Sequence, residues 1–401
     1  MVDALFLRGG DVEGDCSNGE QSFIICAFLM FKLCYYLLME EYIHQPMFTY
    51  LGNKRKLLDF IEEQILIIKK QLKKDKLAIL DGFSGSGVVS RMLSGHASEL
   101  HTNDLEAYAD SSCNCYVKQP TGPQKEKIAK HIEKMNELAE KGPWVEGVMT
   151  KYYAPRNTKD IKKGEVCFFT HENALIIDTL RNYIEKKVEN DLTDWLLAPL
   201  LVQAGIRANT MGHLSAFFKD KNDIGTFKIS DSHWNRVSTP LRVECPIWSP
   251  EPCKVTCHNQ SANDLVKKLK GPLDVIYFDP PYNQHKYSHK YFLYNIIVTN
   301  VKPAKWLEVT HMPVAEERNE SDYTAEESAI KAVSELIADS LKISKYILIS
   351  YNDEGIISPK NWRKILDPYE YTKVKKKYKR MVDHNGDGGH VYEIIYVISR
   401  E

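Results

Sequence analysis

The apolar run Val275-Ile276-Tyr277-Phe278 is stopped by Asp279-Pro280-Pro281-Tyr282. Two consecutive prolines have no N–H to give a sheet ladder, so a strand has to end there. The run shows no polar alternation, which marks a strand buried on both faces in a parallel sheet and an α/β fold around it. In open α/β sheets, chemistry collects at the carboxyl ends of such strands. The prolines leave the carbonyls of Asp279 and Pro280 as acceptors, and Tyr282 adds an aromatic face beside them. Acceptors next to a stacking face suit an exocyclic amine on a flat base. Taken alone, the four residues also read as a strand that merely ends in a proline turn.

With 401 residues, 43% of them hydrophobic, the chain can bury a full core as one large domain with an insertion, or as two domains. A net charge of −1 excludes a globally cationic surface, so any nucleic-acid contact is a local patch. The nine cysteines form no regular framework and no secretion signal is visible, which points to a reducing cytoplasm. Residues 1–45 stand apart. Ser22 to Met39 is apolar except for Lys32, short for a membrane span and without the flanks of a signal peptide. It is expected to be a poorly packed extension, with an anchor or partner-binding helix as the alternative; no membrane is expected.

The core begins at Phe48-Thr49-Tyr50-Leu51-Gly52-Asn53-Lys54, followed by a helical pattern through Leu57, Leu58, Ile61, Ile65 and Ile68. A Gly-Asn-Lys turn at a helix start gathers N–H groups and a cation, which suits an anionic group. Residues 77–81 read as a short apolar strand, and Gly82-Phe83-Ser84-Gly85-Ser86-Gly87 leads from it into a helix near Val88. A second apolar pulse at Leu100 ends in Asn103-Asp104. An acid about 20 residues past a glycine-rich turn is placed to hold ribose hydroxyls. The later glycine of the dinucleotide fingerprint is missing, so the ligand is adenosine-like and what hangs from it stays open.

Taken in order, Tyr50-Leu-Gly-Asn-Lys54, Asp81-Gly-Phe-Ser-Gly-Ser-Gly87, Asn103-Asp104 and Asp279-Pro-Pro-Tyr282 resemble the Dam-type (D12 class) N6-adenine DNA methyltransferases, over roughly residues 47–400. Asn283 to Tyr287, Tyr291 and Ser350 to Gly355 resemble the restriction–modification branch of that family. Two positions depart from the family pattern: Tyr50 where tryptophan is frequent, and Asn53 where a second glycine is usual. The resemblance implies a Rossmann-like fold, with a seven-stranded mixed sheet ending in an antiparallel hairpin. It divides the chain into a catalytic domain of residues 46–107 and 251–401 and an inserted, largely helical target-recognition region of residues 108–250.

The implied cofactor is S-adenosylmethionine, held by Tyr50, Lys54, Asp81, Phe83, Gly85, Gly87, Asp104 and Asp279, with Asp264 as a looser match near the adenine. The implied reaction is methyl transfer to N6 of a flipped adenine in double-stranded DNA, with Asp279, Pro280, Pro281 and Tyr282 catalytic. A cognate restriction endonuclease is the implied partner. Three alternatives remain: a methyltransferase for RNA base amines, transfer to cytosine N4, and a non-catalytic DNA-binding protein that kept the fold. Cytosine N4 enzymes usually carry Ser at the position of Asp279.

Within the insertion, Ile128, Ile132, Met135 and Leu138 predict an amphipathic helix over 124–141 stopped by Gly142. Further helices are expected over 171–187 and 191–206. They lead to Arg207, Asn209 and Lys219, which can reach phosphates or base edges or else belong to a packed turn. After the catalytic turn, Lys286 and Tyr287 lie in a basic and aromatic stretch that suits an extruded base and its phosphates. Cys245, Cys253, Cys257 and His258 match no common zinc spacing, and no metal is expected. The run Lys373–Arg380 carries five lysines and no acid, and reads as a track along DNA or a solvated edge strand.

Overall fold

The structure is a computed structural model that describes residues 30, 33–34, 37–45, 47–48, 50–251, 253–379 and 390–400. Most of the apolar run Ser22–Met39, together with Thr49, Arg380 and the turn-rich 383–389, lies outside the described residues. Among the described residues no helix is long and apolar enough to cross a membrane.

Seven strands form one mixed sheet: β1 (Leu77–Asp81), β2 (Ala97–Asp104), β3 (Lys254–Asn259), β4 (Leu273–Phe278), β5 (Ser344–Asn352), β6 (Tyr371–Lys379) and β7 (His390–Ser399), in the order β3-β2-β1-β4-β5-β7-β6. The first five strands run parallel; β7 is antiparallel to both β5 and β6. This is the expected sheet with its terminal hairpin. Every residue of β4 is buried, as its unbroken apolar run requires of a central parallel strand. Chain order reverses between β1 and β4, and such a switch point opens a crevice at the carboxyl ends of the strands. Pairing of Asp81 with Tyr277 sets the glycine-rich loop after β1 directly beside Asp279.

Helices cover both faces. Leu58–Leu72, Val88–Ser94 and Ala107–Tyr116 close one core, while Ala262–Lys268, Glu326–Ile343 and Pro359–Leu366 close the other. In Leu58–Leu72 the expected stripe of Ile61, Ile65 and Ile68 is fully inward. The amphipathic helix of the insertion spans Gly122–Lys141. It opens with a capping box between Thr121 and Gln124 and closes at Gly142, whose φ of 67° is the left-handed conformation that favours glycine.

Two expected boundaries do not follow the packing. The segment before residue 46 is not loose throughout: Tyr42 is fully buried, its hydroxyl donates to the Tyr116 carbonyl at 2.9 Å, and Arg91 donates to the Tyr42 carbonyl at 2.8 Å. Nor does most of the insertion stand apart, although Cys167, Phe227 and Val237 form a small cluster of their own. Ile128, Met135, Leu196 and Leu200 belong to the same buried cluster as Val275 and Tyr277 of β4. Helix Ala107–Tyr116 straddles the expected boundary at 108, packing on β2 and β3 from one side and on helix Thr193–Arg207 from the other.

Candidate active site

At the carboxyl ends of β1, β2 and β4 lies a cavity of about 150 Å³, lined among others by Tyr50, Phe83, Asp104, Asp279, Pro280, Pro281, Tyr282, Lys286 and Tyr287. Stretches far apart in the chain thus meet where strand order reverses.

Asp279 caps β4 with its side chain 18% exposed, and Lys54, only 3% exposed, reaches its Oδ1 at 2.8 Å. The same ammonium lies 3.3 Å from Glu393 Oε1 on β7 and 5.2 Å from the centre of the Tyr282 ring. Burial pushes the Asp279 carboxyl up to about 6; Lys54 opposes that rise and Glu393 adds to it. Burial would depress Lys54, but Asp279 and Glu393 outweigh it and hold the ammonium charged, well above the usual lysine value. Tyr282 meets Tyr351 edge-on at 6.0 Å, and its carbonyl accepts from Ile356 N–H at 2.9 Å, so the turn after β4 is braced by the segment after β5.

The loop carrying Lys54 is pinned by two tyrosines. Tyr287 donates to the Leu51 carbonyl at 3.0 Å, and Leu51 N–H donates to Tyr291 at 2.7 Å. Their rings stack on Tyr50 at 4.9 and 5.2 Å, forming an aromatic wall. Gly85 fits beneath that wall: a Cβ there would lie 2.7 Å from the Tyr50 ring, and its φ of 52° is left-handed.

Asp104 closes β2. It accepts from Gly85 N–H at 2.8 Å through Oδ2 and from Glu106 N–H at 3.0 Å through Oδ1. Burial raises its carboxyl, and these two N–H groups hold the rise back. Phe83 meets Tyr323 edge-on at 5.1 Å across the cavity. Asp81 is fully buried behind the loop; Ser90 donates to its Oδ2 at 2.6 Å, and its Oδ1 is buried without a partner. Burial takes its carboxyl to about 7.

Several expected residues do not line the cavity. Gly87, at φ 86°, caps helix Val88–Ser94 and packs toward Cys113 and Met47. Asp264 is exposed in the first turn of Ala262–Lys268, where Ser261 and Ala262 line the cavity instead. Asn209 is fully buried, donating to the carbonyls of Cys167 and Thr226 at 2.9 and 3.0 Å, with Oδ1 2.8 Å from His233. Its amide ties three segments of the insertion together. Arg207 is half-buried and donates to the Arg236 carbonyl at 3.2 Å, while Lys219 pairs with Asp223 at 2.8 Å on the surface. Lys286 and Tyr287 do line the cavity, Lys286 paired with Glu320. Among the described residues, no group of three or more His, Cys, Asp or Glu is placed to hold a metal ion.

Other lining residues were not singled out from sequence: Glu106, Gln260, Ser261, Ala262 and the loop 319–324. Glu106 is buried, accepts from Asn295 at 2.5 Å, and is raised to about 7 by burial and, secondarily, by Asp104. Its one sequence signal is a second acid just past the end of β2. Glu393 was also missed. Its signal is a lone acid inside the apolar run of β7.

Relatives align along most of the chain. The Type II methyltransferase M.NlaIII of Neisseria lactamica is 26% identical over 88% of this chain and 99% of its own length. The Type II methyltransferase M.CviAII of Paramecium bursaria Chlorella virus 1 is 26% identical over 84% and 94%. For the Type II methyltransferase M.FokI of Planomicrobium okeanokoites the figures are 25%, 88% and 52%, so this chain spans about half of that protein. Solved structures align loosely: a precorrin 8W decarboxylase of Methanobacterium thermoautotrophicum is 8% identical over 84% of this chain and 89% of its own, with a TM-score of 0.28. Residues 50–365, which hold the Lys54 loop, both acid-ended strands and the Asp279 turn, match the family model, and the chain belongs to the D12 class N6 adenine-specific DNA methyltransferases.

Proposed function

We propose that this chain binds S-adenosylmethionine in the cavity described above and methylates N6 of an adenine extruded from double-stranded DNA, as the modification partner of a restriction endonuclease. The observation that carries the reading is the Asp279 carboxylate, set at the end of β4 against Lys54 and Tyr282 and opening into the same cavity as Asp104 and Phe83. The residues suit the cofactor in kind. Asp104 and Glu106 offer carboxylates to a ribose diol, and Phe83 and Tyr323 offer an aromatic slot for a base. When bound, S-adenosylmethionine supplies an electrophilic methyl group.

The protein's task is to make a poor nucleophile attack. The adenine amine has its lone pair delocalised into the ring. Accepting its two N–H bonds at Asp279 and at the Pro280 carbonyl pulls the nitrogen toward tetrahedral geometry and localises that pair. Tyr282 supplies the stacking face that replaces the neighbouring bases. Asp279 is ionised at neutral pH yet basic enough to receive the proton the amine sheds and pass it on to solvent. Rate enhancement then comes chiefly from positioning and fixed charges. The described cysteines are free thiols, which suits a reducing cytoplasm.

The test is transfer of tritiated methyl groups from S-adenosylmethionine to unmethylated duplex DNA, with structured RNA in parallel and digested products identified. N6-methyladenine from DNA is expected, and Asp279→Ala should lower transfer by about a thousandfold or more, as loss of a central electrostatic group does. Label in RNA alone, or retained turnover by the Ala variant, would overturn the assignment.

A further inference from the structure

Glu393 lies in the middle of β7 with no exposure at all, one acid in an otherwise apolar strand. Its Oε1 receives Ser350 Oγ at 2.5 Å and lies 3.3 Å from Lys54 Nζ, while its Oε2 is buried without a partner. Burying a carboxylate on a central strand is expensive, and a half-satisfied one more so; an apolar residue of similar size would serve the sheet better. The fold therefore carries this group against the interest of stability, and among the described residues the cation within ion-pair distance is the Lys54 ammonium that also holds Asp279.

Two carboxylates on one ammonium compete for it. With Lys54 facing Asp279 alone, its whole charge would fall on that carboxylate, and the Asp279 oxygens would be poorer acceptors for a further N–H. With Glu393 on the other side, the ammonium is drawn between β4 and β7, and the trio keeps a net negative charge facing the cavity. We propose that Glu393 is a positioning residue for methyl transfer, which shares the Lys54 ammonium with Asp279 and so leaves Asp279 able to accept from the target amine. This rests on the methyl-transfer reading above.

Other groups around the trio act differently. Burial raises the hydroxyls of Tyr277, Tyr287 and Tyr378 further above the acid range, and Lys376 is the cross-strand neighbour of Glu393. Asp81, at the end of β1, is a further buried acid, and Asp279 adds to the rise of its carboxyl. Replacing Glu393 by Gln removes a negative neighbour of Asp279 without changing shape. The acid limb of the kcat profile should therefore move to lower pH, by about one unit, because a like charge that disfavoured ionisation is gone. The plateau kcat should fall about tenfold or more as the whole Lys54 charge falls on Asp279.

The experiment measures kcat against pH for the full chain and for Glu393→Gln and Glu393→Asp, with S-adenosylmethionine binding followed by calorimetry. The Asp variant keeps the charge but loses reach: its limb should stay near that of the wild type while its plateau falls. If Glu393→Gln does not fold, Glu393→Asp alone decides. A Gln variant with an unmoved limb, or an Asp variant with wild-type kcat, overturns the role of Glu393. A wild-type chain that labels no nucleic acid would instead overturn the methyl-transfer reading.

Discussion

Asp279 holds its charge at a disadvantage. Its carboxyl ordinarily titrates near 3.8 and in the folded chain near 6, with burial the main cause. A group whose folded pKa is raised stabilises the fold fully below its unfolded value, and that contribution is lost as pH rises through the folded value. For Asp279 the window runs from about pH 4 to about pH 6, and the strain at neutral pH is on the order of 3 kcal/mol. Asp279→Asn is therefore expected to be inactive but more stable than wild type at pH 8 by roughly that amount, the advantage vanishing below about pH 4. Urea unfolding at both pH values checks this, and an Asn variant less stable than wild type at pH 8 would refute it.

Among elements, the loop after β1 shows how much a short stretch can announce. Its glycines, the apolar strand before it and the acid ending β2 were legible because each follows from local backbone and spacing. Lys54 and Tyr50 were legible only through resemblance; what holds them in place comes from Tyr287, Tyr291 and Glu393, contributed by distant parts of the chain. No local pattern encodes such a meeting. Asn209 was misleading for a related reason, since a polar side chain on an apparent turn looks outward until its partners Cys167 and Thr226 are known. Asp264 sits in the first turn of its helix but on the exposed side, so the lining passed to Ser261 and Ala262. The loop's own demand is testable at Gly85. Alanine there needs a left-handed backbone and puts its methyl 2.7 Å from the Tyr50 ring. Gly85→Ala should lose about 1–2 kcal/mol of stability, and calorimetry should show S-adenosylmethionine binding weakened about tenfold or more. Unchanged affinity would mean that Tyr50 does not depend on the loop beneath it.

For the whole molecule, the consequence of a shared core is mechanical. The helices inserted between β2 and β3 bury their apolar faces in the same cluster as β4, through helix Ala107–Tyr116. Sequence patterns report which face of a helix is apolar but not which neighbour covers it, so the insertion read as a separate region. A region that shares its main core with the sheet cannot unfold first without stripping cover from that sheet. Trp195 reports on the insertion, where it packs 6.4 Å from Trp248; Trp362 reports on the far face of the sheet, where it stacks on Tyr396 at 4.7 Å. In variants keeping only one of these tryptophans, urea unfolding should give the same midpoint by fluorescence as by far-ultraviolet circular dichroism. Two resolved midpoints, with Trp195 melting first, would show that the inserted helices form an independent unit. A single midpoint would mean that the inserted helices and the Asp279 pocket share one continuous core, without a hinge between them.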